Sequence, residues 1–184
     1  MTQRTAESTA AGRTAGPGAG RVWAVGHDVD TDQLAPGRTM KLPVSEIARH
    51  CLEDTLPGFA AGVAAGDVLV AGRNFGCGSS REQAPAALRA LGVAAVVAES
   101  FAGLFYRNAI NLGLPVVVCA DAARVAASPW ARVDAERGAI EIEGGRVDCE
   151  PIPAFLMDLL RAGGLLPHLK ARLAASAPNP REPS

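Results

Sequence analysis

The sequence is short of what several function classes require. Aromatic residues make up only 4% of its 184 residues, with a single tyrosine, too few for a surface that stacks nucleobases. Lysine and arginine total 18 against 19 acidic residues, a formal net charge of −1. No excess of positive charge therefore argues for nucleic acid. No apolar run reaches the roughly 18 residues that cross a bilayer, so no membrane partner is expected. The four cysteines, at 51, 77, 119 and 149, include no Cys-x-x-Cys pair. A self-contained zinc or iron–sulfur site is not expected from them, and no metal ligand is assigned. Their pattern suits a reducing cytoplasm. Residues 1–20 are rich in Thr, Ala and Gly but hold no apolar block, which argues against a secretory signal and for a disordered extension. Residues 174–184 are rich in Pro and Ser and read as a flexible tail. Between them, 21–173 is long enough for one domain with a real core.

What is present is concentrated in Asn74-Phe75-Gly76-Cys77-Gly78-Ser79-Ser80-Arg81-Glu82. The stretch follows a buried-strand pattern at 67–71 and precedes a helical pattern in which Ala84, Leu88 and Leu91 share a face. It is thus a glycine-rich turn from a strand into a helix. Gly76 and Gly78 permit backbone conformations that other residues resist. Amides at a helix start favour an anion. An arginine beside two hydroxyls suits two-pronged carboxylate or phosphate binding. A serine here would also serve as a simple helix N-cap. Pro85 is tolerated only near a first turn, so the regular helix should start around Glu82, leaving Ser79–Arg81 on the loop. No lysine follows the glycines, so this is not a nucleotide phosphate loop. Nor is there a Gly-x-Ser-x-Gly hydrolase elbow. Cys77 lies in the loop, but a reactive thiol needs a lowered pKa.

The rest of the chain reads as alternating elements. Strands are expected at 22–25, 93–98 and 114–119, with helices at 43–53 and 101–112. A turn dense in carboxylates, 26–32, and a loop over 33–41 follow the first strand. The alternation points to βαβ units and a parallel sheet. Residues 139–149 read as a hairpin turning at Gly144-Gly145. A last helical stretch, 153–173, is broken at Gly163-Gly164.

Three segments in order, Asp30-Thr31-Asp32-Gln33-Leu34-Ala35-Pro36, the 74–82 loop, and Ser100-Phe101-Ala102 through Tyr106-Arg107-Asn108, resemble the small subunits of 3-isopropylmalate dehydratase. These in turn are similar to the swivel domain of aconitase. The likeness runs from about residue 22 to 119 and more loosely to about 170. It implies an α/β fold, a three-layer β/β/α swivelling domain with a mostly parallel central sheet. It implies a large-subunit partner that carries a 4Fe-4S cluster, and a substituted malate as substrate. It also implies a hydro-lyase that moves a hydroxyl by dehydration and rehydration. By the same resemblance Ser79 is the catalytic base, Ser80 and Arg81 hold substrate carboxylates, and Thr31 and Asp32 support the opposite side of the site.

The chain departs from many relatives where a Tyr-Leu pair and a variable residue are thought to choose the substrate side chain. Here the stretch is Thr39-Met40-Lys41. A cation suits a substrate with an extra carboxylate, as in homoaconitate, although a lysine can also snorkel away from an apolar group. Thr39 and Lys41 are thus expected at the substrate. Gln83 replaces a histidine found in many relatives. The readings that follow are the dehydratase of leucine biosynthesis, a homoaconitase-type or specialised-pathway enzyme, and a non-catalytic anion-binding module.

Overall fold

The computed structural model describes residues 18–176. The expected N-terminal extension and tail thus lie, except for 18–20 and 174–176, outside the described residues. The elements in chain order are β1 (Gly20–Ala24), α1 (Thr31–Leu34), a 3-10 turn (Gly37–Thr39), α2 (Val44–Ala48), α3 (Phe59–Gly62), β2 (Val68–Ala71), α4 (Gln83–Ala90) and β3 (Ala95–Ala98). They continue with α5 (Gly103–Asn111), β4 (Val116–Val118), α6 (Ala122–Ala126), β5 (Trp130–Asp134), β6 (Ala139–Ile142), β7 (Gly145–Asp148), α7 (Ala154–Arg161) and α8 (Leu165–Ser176).

The seven strands of the described residues join one sheet in the order β4-β3-β2-β1-β5-β6-β7. Strands β1 to β4 run parallel, and β5 to β7 form an antiparallel meander. β1 is the seam: Trp23 pairs with Leu69 in parallel register, while Gly20 pairs with Ala131 in antiparallel register. The inner strands β2 and β3, VLVA and AVVA, are buried along their whole length, as expected of parallel strands covered on both faces. α6 packs on β1 and β2, whereas α4 is flanked by α1, α2 and α5. Beside the seam, the buried Asp67 carboxylate takes hydrogen bonds from the Arg21 and Ala64 amides and the Trp23 indole, at 2.9–3.0 Å. Those donors satisfy buried polar oxygens that would otherwise be costly. No helix among the described residues is long and apolar enough to cross a membrane.

The segment over 33–41 is more regular than a loop. Asp30 caps α1 in a reciprocal box: its carboxylate accepts from the Gln33 amide at 2.8 Å, and Gln33 Oε1 accepts from the Asp30 amide at 3.1 Å. This is the capping-box arrangement compressed into a single turn. The helix expected over 43–53 is confined to α2, and the chain then runs through turns to a left-handed Leu52 whose amide bonds the Gln33 carbonyl at 2.8 Å. α8 extends through 174–176, past the start expected for the tail.

Candidate active site

The loops that leave β1, β2 and β3 meet at one end of the parallel strands. The loop after β2 lies along the one after β1. The Asp28 amide bonds the Arg73 carbonyl at 2.9 Å, the Gly76 amide bonds the Val29 carbonyl at 2.7 Å, and the Thr31 amide bonds the Cys77 carbonyl at 2.9 Å. From the third loop, Ser100 accepts the Asn74 amide on its hydroxyl at 2.9 Å and the Phe75 amide on its carbonyl at 3.0 Å. Phe75 anchors the loop in the core, edge-on to Phe101 and Phe105.

Gly76 and Gly78 both have left-handed backbones, φ +77° and +94°. A side chain on Gly76 would place its Cβ 2.2 Å from the Phe105 ring. Beyond these glycines, Ser79 is exposed and lies against Thr31, which is almost fully buried. Thr31 Oγ1 accepts the Ser79 amide at 3.1 Å and sits 3.1 Å from Ser79 Oγ. In the hydroxyl contact either oxygen can donate, and Thr31 Oγ1 can give its proton to Ser79 Oγ while accepting the Ser79 amide. A donor aimed at that oxygen favours the alkoxide form.

Neither serine caps the following helix. The N-cap of α4 is Glu82, in helical conformation and without a side-chain capping bond. Arg81 forms an ion pair with Asp32, and its Nη1 also lies 3.4 Å from the Ala35 carbonyl. The Arg81 hydrogen bond holds the Asp32 carboxyl below its ordinary range. The Ser80 side chain is exposed, and its carbonyl accepts from Asn108 Nδ2 on α5 at 3.2 Å.

Thr31, Asp32, Ser79, Ser80 and Arg81 are therefore gathered into one cluster. Thr39 and Lys41 are placed differently. Thr39 is buried, with its hydroxyl bonded to the Pro36 carbonyl at 2.7 Å. Lys41 is exposed on the turn after the 3-10 segment, and no hydrogen bond or ion pair among the described residues ties it to the cluster. That segment does border the cluster, since a side chain on Gly37 would lie 3.4 Å from Asp32 Oδ1. Cys77 has its thiol pKa raised, first by burial and then by the Asp30 and Asp28 charges. Its Sγ donates to the Asp28 carbonyl at 3.6 Å. Sequence reasoning gave no role to Asp28, Asn74 or Asn108. Asn108 stood in the third motif, but nothing in its spacing revealed that it reaches Ser80.

Among the described residues, no group of three or more His, Cys, Asp or Glu side chains could hold a metal ion. The cluster presents two hydroxyls within hydrogen-bond distance and a guanidinium that faces a carboxylate, which suits proton abstraction next to a substrate carboxylate.

The family model for the aconitase C-terminal domain matches residues 62–121, the stretch from α3 through β4 that carries the motif loop. The small subunit of 3-isopropylmalate dehydratase from Moorella thermoacetica is 46% identical over 161 residues, covering 85% of this chain and 97% of that one. The methanogen homoaconitase small subunit of Methanothermobacter thermautotrophicus is 44% identical over 162 residues, covering 81% and 88%. A crystal structure of 3-isopropylmalate dehydratase from Methanocaldococcus jannaschii superposes with a TM-score of 0.78 at 39% identity, covering 85% of this chain and 95% of that one. Fold and motif loop together define an aconitase-type swivel domain. The chain belongs to the family of 3-isopropylmalate dehydratase small subunits, and is a hydro-lyase subunit.

Proposed function

We propose that this chain pairs with a large subunit to isomerise 3-isopropylmalate, with Ser79 as the base. The observation that carries the reading is the Thr31–Ser79 hydroxyl pair, 3.1 Å apart, on a loop where Ser79 serves no helix cap. Ser79 Oγ takes the proton from the carbon next to a substrate carboxylate, with Thr31 donating to the oxygen. Ser80 and Arg81 hold the substrate carboxylates, and Asp32 keeps Arg81 oriented. Loss of the proton and of the neighbouring hydroxyl gives an alkene and water. Return of water with the opposite regiochemistry completes the isomerisation. A 4Fe-4S cluster, held by the large subunit and not by residues of this chain, would supply a Lewis acid for the departing hydroxyl. The reaction is assigned to the cytoplasm, where the free cysteines stay reduced.

A homoaconitase-type substrate is favoured by one observation: Lys41, an exposed cation on the turn that follows the segment bordering Asp32. The test is co-purification with a cluster-loaded large subunit, followed by turnover assays on 3-isopropylmalate and a tricarboxylic analogue. The isolated chain is expected to be inactive, and activity is expected to appear on reconstitution. Turnover by the purified chain alone would overturn the reading.

A further inference from the structure

Asp28, the residue two positions before the Asp30 cap, has a left-handed backbone with φ 54°. So does Asn74 at the start of the motif loop, φ 58°. Left-handed conformations are uncommon outside glycine and are tolerated best by Asn and Asp. Two in direct contact mark a constrained junction. Asp28 grips the motif loop with three different groups. Its amide donates to the Arg73 carbonyl at 2.9 Å. Its carboxylate Oδ1 accepts from Asn74 Nδ2 at 2.9 Å. Its carbonyl accepts from the Cys77 thiol at 3.6 Å. The raised pKa of that thiol keeps the proton the last contact uses.

These contacts stand where the loop after β1 and the loop after β2 begin to run together. Downstream of Asp28, Val29 and Thr31 bond Gly76 and Cys77, and Thr31 then meets Ser79. The register in which the two loops run together is set where Asp28 holds Arg73 and Asn74. A shift there moves Ser79 relative to Thr31.

We propose that Asp28 is a positioning residue for Ser79: its left-handed backbone and carboxylate fix the start of the motif loop so that the Ser79 and Thr31 hydroxyls meet. The inference rests on the reading of Ser79 as the base. Asp28 touches no reacting atom, and it acts as a neutral amide would, through the acceptor oxygen it offers Asn74.

The test uses the reconstituted two-subunit enzyme with 3-isopropylmalate. Asp28→Gly keeps the left-handed backbone and removes the acceptor, and Asp28→Asn keeps both while removing the charge. Ser79→Ala is run beside them. Misplacement of a catalytic group lowers kcat, and Asp28→Gly is expected to lose roughly 10- to 100-fold in kcat. KM, subunit assembly and the thermal midpoint should stay close to those of the parent. Asp28→Asn is expected to restore most of the lost kcat. Full kcat in Asp28→Gly, an equal loss in Asp28→Asn, or a loss explained by poorer assembly or a lower thermal midpoint overturns the proposal. An inactive Ser79→Ala enzyme beside a fully active Asp28→Gly enzyme overturns it alone. An active Ser79→Ala enzyme overturns it together with the reading of Ser79 as base.

Discussion

Thr31 Oγ1 serves Ser79 twice, accepting its amide and meeting its hydroxyl, each at 3.1 Å across 48 positions of sequence. The two residues should therefore behave as one unit. Ser79→Ala is expected to lower turnover by at least about 100-fold, the scale for losing a group that acts in the transition state. Thr31→Val keeps the buried shape and removes only the hydroxyl, and should cost about 10-fold or more. The double variant should be no worse than Ser79→Ala alone, because residues acting together are not additive. Steady-state kinetics on the four reconstituted enzymes decides this, and additive losses would separate the two residues.

Arg81 and Asp32 make a second testable pair. Arg81→Lys retains charge but not the two-pronged geometry, so KM should rise more than kcat falls. A kcat loss at constant KM would remove Arg81 from substrate binding.

The same pair has a pH signature. Asp32 titrates below its ordinary value in the folded chain, chiefly through its hydrogen bond to Arg81. Its support for folding is therefore present above the unfolded-state value and is lost as pH falls through the folded one. The side chain is largely exposed, so the effect is small. Urea midpoints of the parent and Asp32→Asn, measured from neutral to acid pH, should converge at the acid end. Parallel curves would show that the ion pair does not survive in solution.

Lys41 and Thr39 are expected to part company. If Lys41 reaches the substrate's variable group, Lys41→Val should shift the kcat/KM ratio between 3-isopropylmalate and a tricarboxylic analogue by about 10- to 100-fold, the worth of one charge-assisted contact. An unchanged ratio places Lys41 in solvent. Thr39 is buried and bonded to Pro36, so Thr39→Val should lower the thermal midpoint and leave the ratio alone.

Gly76 combines a left-handed backbone with a Cβ position 2.2 Å from the Phe105 ring. Gly76→Ala should destabilise the chain by about 1–3 kcal/mol, the usual range for overpacking, seen as a lower denaturation midpoint. A neutral effect would mean that the loop can move off Phe105 freely.

The parallel half of the fold was legible because its signals are local. The uniformly apolar β2 and β3, and the placing of Pro85 just inside α4, are short-range patterns. The start of α4 at Gln83 follows directly from that proline. β5 was not legible: Trp130–Asp134 carries Arg132 and Asp134 in a half-exposed strand, and only its pairing with β1 on one side and with Ile142 through Ala139 on the other makes it one. α1 and α6 are too short to show a period. The motif loop could be read as a unit of chemistry because its glycines, serines and arginine are contiguous. The Thr31–Ser79 and Asp28–Asn74 contacts could not, since each joins segments more than 40 positions apart. The Thr39 bond to Pro36 was hidden for another reason. It depends on a 3-10 turn that composition does not announce.

The placement of β1 bears on how the chain reaches its folded state. Its Val22 pairs with Val68, but its Gly20 pairs with Ala131. A strand made before β5 thus waits for a partner more than a hundred residues later before both its edges are satisfied. Such distant pairing raises contact order and slows folding. During that interval the β1 edge that β5 later covers is open to another chain. Refolding should therefore be slow and sensitive to protein concentration, even though the finished sheet leaves β1 no free edge.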